Sequence, residues 1–306
     1  MPNYLPNPPD HLTRLAILAY PGASQAAVLG LAEMFDAANR FSTSGTLDVI
    51  TTDGPAPAEV VVLPPAFGNE QYLAPSAPLV TWLSEHTQRG GQVASACAGA
   101  FYLAAAGLLD GRRATTHWRL GGTLQKCAPD VCLVLDEILV RDGPILTAGG
   151  LMSWTDLALE LIGTHLGLST LRAVGRHFVI DTGRREQRFY RAFSPPMDHG
   201  DRAILTVQRY MQSHFSTLPS LTVLAEAAGI SSRNFLRRFK AATGLTPRAY
   251  IQALCIFEGQ LLLESTSLPV AEIAHRVGYE NTPAFYKAFH RRVGLTPGAY
   301  RARLRR

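Results

Sequence analysis

Gly244-Leu245-Thr246-Pro247-Arg248-Ala249-Tyr250 returns fifty residues later as Gly294-Leu295-Thr296-Pro297-Gly298-Ala299-Tyr300. The likeness extends upstream at the same offset, pairing Phe235 with Phe285, Phe239 with Phe289 and Ser232 with Thr282. Further back, Leu224-Ala225 through Gly229 aligns with Ile273-Ala274 through Gly278, at an offset of 49. One supersecondary unit has been used twice.

Each copy predicts helix, tight turn, helix. In the first, Leu221, Leu224, Ala225 and Ala228 have the spacing of one apolar helix face. Gly229 permits the positive φ of a helix end. Ser231 or Ser232 caps a second helix whose expected inner face is Phe235, Leu236 and Phe239. In the second copy Ile273, Ala274 and Val277 take the inner role and Gly278 the turn. Thr282 is the expected cap, Pro283 opens the helix, and Phe285, Tyr286 and Phe289 face inward. The alanines allow the close crossing that a helix-turn-helix requires.

The outer face of each second helix is then free to enter a groove. The first offers Ser231, Ser232, Arg233, Asn234, Arg237, Arg238 and Lys240. The second offers Glu280, Asn281, Thr282, Lys287, Arg291 and Arg292. Arg and Asn near a helix start suit base edges, and cations further along suit phosphates. Between the copies, residues 246–264 predict one helix with Tyr250, Ala253, Leu254, Phe257 and Leu261 as its stripe. At 1.5 Å per residue it spans roughly 28 Å, close to the ~34 Å turn of B-DNA.

Charge agrees with this reading. Residues 171–306 hold 21 basic and 9 acidic side chains, a net of +12, whereas residues 1–170 hold 8 and 15, a net of −7. One end of the chain suits a polyanion. The length of 306 residues and 47% hydrophobic content fit two packed domains. No apolar run approaches the roughly 20 residues of a membrane span. Residues 1–10, rich in Pro and Asn, carry no secretory pattern. Cys97, Cys127, Cys132 and Cys255 form no CxxC pair, so neither a metal site nor a disulfide framework is expected, and a reducing cytoplasm fits. No cofactor motif stands out.

The acidic half reads as alternating strand and helix, hence a parallel α/β sheet. Leu12–Tyr20, Val60–Leu63 and Gln92–Ala96 are expected strands, with helices before Arg40 and over Leu79–Arg89. The informative stretch is Val93-Ala94-Ser95-Ala96-Cys97-Ala98-Gly99-Ala100-Phe101. A strand running into Ser-x-Cys-x-Gly and straight into a helix is the sharp turn of a nucleophile elbow. A thiol there can be acidified by helix amides, the same amides can hold an anion, or the cysteine is plain core.

Residues 201–303 resemble the AraC/XylS-type DNA-binding domain. The resemblance is carried by Ala225–Ser231, Gly244–Tyr250 and their second copies. Cys255 stands where that pattern leads one to expect Arg, and Gly259 where it leads one to expect Ala. Residues 12–167 resemble the ThiJ/PfpI-like, glutamine-amidotransferase-like domain, in the variant fused to an AraC-type domain known as GlxA-type regulators. Residues 107–118, 147–150 and 156–159 carry that likeness.

The resemblance implies a flavodoxin-like sensor domain over 1–168, a linker over 169–200 with a strand at 177–181, and an all-α domain over 201–306. It also implies a pocket floored by the Cys97 and Ala98 amides and walled by Gln25, Phe67, His117, Trp118, Gly149 and Met152. Its occupant would be a small nitrogen-containing metabolite, with Trp118 facing a cation. Hydrolytic relatives have a His after the Cys, an acid and a Gly-Gly oxyanion loop. Here those places hold Ala98, Gln25 and Pro64-Pro65, and proline has no N–H to offer. Enzymatic activity is therefore not expected. The expected protein is a cytoplasmic, homodimeric, ligand-responsive transcriptional regulator whose partners are operator DNA, a small effector and RNA polymerase. The rivals are a Cys97 hydrolase and a Cys97 redox sensor, each fused to the DNA-binding domain.

Overall fold

The computed structural model describes residues 12–66, 70–183, 186–190, 192–217 and 220–304. The chain divides into two compact units between Gln187 and Arg188.

The first unit is an α/β sandwich. Strand β1 (Leu12–Leu18) leads to helix α1 (Gln25–Phe41), strands β2 (Thr46–Thr52) and β3 (Val60–Leu63) follow in succession, and then helix α2 (Ala77–Gln88). Strand β4 (Gln92–Ala96) leads through the elbow into α3 (Ala100–Ala105). A short two-stranded piece, β5 (Arg113–Ala114) with β6 (Cys132–Leu133), brackets α4 (Gly121–Cys127). The hairpin β7 (Leu139–Asp142) and β8 (Ile145–Ala148) then precedes α5 (Trp154–Phe178). The main sheet runs β2-β1-β3-β4-β8-β7, with only β7 antiparallel. Strands β3 and β8 are buried throughout, as a parallel sheet covered on both faces demands. Leu31, Phe35, Leu157 and Ile162 pack on one face, and Leu83, Phe101, Leu103 and Leu124 on the other. The chain leaves β1 toward β2 and re-enters beside β1 as β3, a switch of direction that opens a crevice at the carboxyl ends of the strands.

The second unit is all helical. Helix α6 (Arg202–His214) precedes the pair α7 (Leu221–Ala227) and α8 (Ser232–Thr243). The long α9 (Pro247–Ser265) connects to the second pair, α10 (Val270–Arg276) and α11 (Thr282–Val293), followed by α12 (Pro297–Leu304). Phe235, Phe239, Phe285 and Phe289 are fully buried in one core with Tyr250, Leu254 and Ile273. The turn glycines Gly229 and Gly278 have φ of 64° and 86°. The two departures in α9 have packing reasons. A Cβ on Gly259 would lie 3.1 Å from the Phe285 ring, so glycine makes room for α11. Cys255 is buried, and its Sγ sits 3.7 Å from the Phe215 carbonyl, where an arginine would have no solvent.

Several expectations need correction. The expected linker is structured at both ends. Residues 169–178 belong to α5, which kinks at Gly167 and continues because Leu171, Val174 and Phe178 form an apolar stripe against the first core. The strand expected at 177–181 is instead a helix end capped by Val179 in the left-handed region. At the other end, Phe189 and Phe193 pack into the core of the second unit. Leu221, Leu236 and Tyr286 are exposed rather than inward-facing, because Phe235–Phe239 and Phe285–Phe289 already fill the inner stripe. The cap of α11 is Asn281, whose side chain accepts from the Ala284 N–H at 2.9 Å, and Thr282 becomes the first helical residue.

Candidate nucleic-acid interface and cysteine elbow

Helices α8 and α11 each bury two phenylalanines and leave the opposite face open. On α8, Ser232, Arg233, Asn234, Arg237 and Lys240 are exposed, and Ser231 caps the helix. The Arg237 guanidinium donates to Asn234 Oδ1 at 3.3 Å, so two prospective reading groups hold each other in place. On α11, Lys287 and Arg291 are exposed, as is Glu280 just before the helix. Arg291 is steadied by Gln252 Oε1 of α9 at 3.4 Å.

Three expected contacts have other employment. Arg238 donates through Nε (2.9 Å) and Nη2 (2.6 Å) to Asp201, which also caps α6 by accepting from the Ile204 N–H. This pair holds the Asp201 carboxyl below the usual carboxylate range, first through the Arg238 hydrogen bonds. Asn281 is engaged as a cap. Arg292 lies 5.4 Å from the centre of the Phe193 ring.

In the first unit, Cys97 takes φ of 53°, the strained turn of an elbow. Its chemistry differs from an activated thiol. Burial pushes the Cys97 thiol up to about 11, outweighing the Ala98 and His117 backbone N–H groups that point at it. The helix that follows has only six residues. The His117 backbone N–H, with that of Ala98, addresses the sulfur, and the His117 ring does not. The ring Nδ1 instead accepts from the Arg119 N–H at 3.1 Å. Burial, then Arg119, lowers the His117 pKa, which favours a neutral imidazole. Above the elbow, Tyr20 donates to the Pro64 carbonyl (2.5 Å), and the Ser24 N–H donates to the Pro65 carbonyl (2.7 Å). The two prolines have no N–H to offer, and their carbonyls accept these bonds.

The residues expected to line a pocket differ in their exposure. Cys97 and Ala98 are buried, His117 and Trp118 lie half-buried with ring centres 5.3 Å apart, and Gln25 is exposed at the start of α1. Met152 is 62% exposed. Gly149 packs against Gln187, since a Cβ there would lie 2.3 Å from Gln187 Nε2. Phe67 lies outside the described residues.

Residues 224–303 match the helix-turn-helix domain family, and residues 42–164 match the DJ-1/PfpI family. The HTH-type transcriptional regulator CdhR of Pseudomonas aeruginosa is 31% identical over 238 residues, covering 77% of this chain and 70% of that one. The chain belongs to the GlxA-type, AraC-family transcriptional regulators. GlxA of Rhizobium meliloti is 30% identical, with 73% and 69% covered. GbdR of P. aeruginosa is 27% identical, and the match spans 71% of this chain but only 59% of GbdR.

Reasoning from sequence missed two residues that organise the regulator. Gln187, buried at the end of the first unit, accepts from the Trp118 N–H at 2.8 Å and donates to the Thr116 and Leu135 carbonyls. Asp201 anchors α8 through Arg238. Asp201 carried a readable signal, an Asp directly before a helix. Gln187 carried none. Among the described residues no helix of the regulator is long and apolar enough to cross a membrane.

Proposed function

We propose that the regulator reads operator DNA with α8 and α11 and that a small molecule held by its α/β unit tunes this reading. The observation that carries the first part is the duplicated face opposite the buried phenylalanine pairs, with Arg233, Arg237 and Lys240 in one copy and Lys287 and Arg291 in the other. Cations of this kind displace counterions from phosphates, so affinity falls steeply with salt. Loss of sequence-specific binding in Arg237→Ala and Lys287→Ala tests it.

For the effector, a cavity of about 510 Å³ opens beside Pro21, Asp53, Gln71, Leu79 and Tyr102. It lies at the carboxyl ends of β1 and β2, where open α/β sheets take ligands, and its size suits a metabolite. Asp53 offers a carboxylate and Tyr102 a phenol, a pairing suited to an ammonium group. A larger cavity of about 640 Å³, beside Arg14, Trp82 and His86, lies at the opposite strand ends and is the weaker candidate. Thermal-shift screening of amines and amino acids on the full chain tests the sensing role, with Asp53→Asn expected to abolish any stabilisation. The α/β unit senses rather than turns over its ligand. The protonated thiol, the ring of His117 turned to Arg119 and the occupied proline carbonyls support this. Turnover dependent on Cys97 would contradict it.

A further inference from the structure

Laid on one another at the offset of the repeat, the two reading helices present different chemistry. Arg233 corresponds to Pro283, Asn234 to Ala284, Leu236 to Tyr286 and Arg237 to Lys287, and all eight are exposed. The first turn of a reading helix is the part that reaches base edges. There α8 carries a guanidinium and a carboxamide, groups that recognise guanine O6/N7 and adenine N6/N7. At the same places α11 carries only Pro283 and Ala284, whose side chains have no donor or acceptor. Asn281, the nearest amide, commits its Oδ1 to the backbone cap of α11. Apolar side chains do recognise one feature of the major groove, the C5-methyl of thymine. Tyr286 extends that apolar surface, 37% exposed on a helix whose inner stripe is complete without it.

We propose that the operator is chemically asymmetric: α8 reads a guanine-bearing half-site by hydrogen bonds, and α11 reads a thymine-bearing half-site by methyl contact. The proposal rests on α8 and α11 being the DNA-reading helices. Lys287 and Arg291 then hold α11 on the phosphates without specifying sequence.

The test starts with selection of duplexes from a random library by the full-length protein. The half-site of each helix is assigned by which protected patch of a footprint Arg237→Ala and Lys287→Ala weaken. Deoxyuridine is then placed for thymine, and 7-deazaguanine for guanine, one half at a time. Each contacted methyl removed from the α11 half should weaken binding about fourfold, the equivalent of one buried methyl group. Deoxyuridine in the α8 half should change it less than twofold. The guanine substitution should show the reverse pattern. Tyr286→Ala, at an exposed position, should lose part of the methyl dependence, and Tyr286→Phe should keep it. Equal responses of the two halves, or indifference to every thymine methyl, would overturn the asymmetry while leaving the reading helices in place. Failure to enrich any duplex would instead sink the DNA-reading assignment beneath it.

Discussion

Phe193 meets Tyr250 edge-on, ring centres 5.1 Å apart at 80°, while Phe189 packs 5.2 Å from Tyr300. Tyr250 and Tyr300 are the closing residues of the two copies of the repeat, and each also meets the second phenylalanine of its reading helix, Phe239 or Phe289. A short segment before α6 therefore touches both helix-turn-helix units, with Arg303 over Phe189 and Arg292 over Phe193. Phe193→Ala should lower the stability of the second unit by about 1–3 kcal/mol, the lost burial plus the aromatic pairing. Urea unfolding followed by far-ultraviolet dichroism reads this, and an unchanged midpoint would show that the segment is idle.

The Asp201–Arg238 pair should act on folding rather than on base recognition. Its carboxyl has a lowered folded-state pKa. Its contribution is thus present above the unfolded value of about 3.9 and disappears as pH falls through the lowered folded value. Asp201→Asn and Arg238→Ala should each lower the thermal midpoint at pH 7, and the double variant should cost less than their sum. Strict additivity would contradict a direct partnership.

The turn glycines differ in what they tolerate. Gly229 has φ of 64° and nothing within 4 Å of a Cβ, so Gly229→Ala meets left-handed strain alone, about 1–2 kcal/mol. Gly278 has φ of 86°, and a Cβ would lie 2.6 Å from the Ser216 backbone oxygen, so Gly278→Ala should destabilise clearly more. Chemical denaturation of both variants ranks them, and the reverse order would be inconsistent with the described turn.

Much of this was legible in the chain. The repeat fixed both helix-turn-helix units because Gly and the Phe pairs answer to local geometry that sequence expresses directly. Strand-helix alternation and the Ser-x-Cys-x-Gly elbow disclosed the α/β unit in the same way. Illegible were features decided by partners distant in sequence. Leu236 and Tyr286 looked inward-facing, since spacing alone cannot tell the edge of an apolar stripe from its centre. The arginines of residues 172–191 concealed the stripe of Leu171, Val174 and Phe178. The close packing of Gly149 against Gln187, far along the chain, has no local sign either.

The Cys97 thiol, raised to about 11, should stay protonated at neutral pH. In a Cys127→Ser, Cys132→Ser background, which removes the two exposed thiols, iodoacetamide alkylation at pH 7.5 should be slow and should accelerate only toward pH 10–11. Cys97→Ser should leave DNA affinity unchanged. Rapid alkylation at neutral pH would revive the redox-sensor reading.

Hydroxyl-radical footprinting of the full-length regulator on a selected operator tests the central claim most directly. Two protected patches should lie on one face of the duplex, about one helical turn apart. Arg237→Ala should weaken one patch and Lys287→Ala the other. A single patch, or two variants that leave both patches intact, would contradict paired reading by α8 and α11.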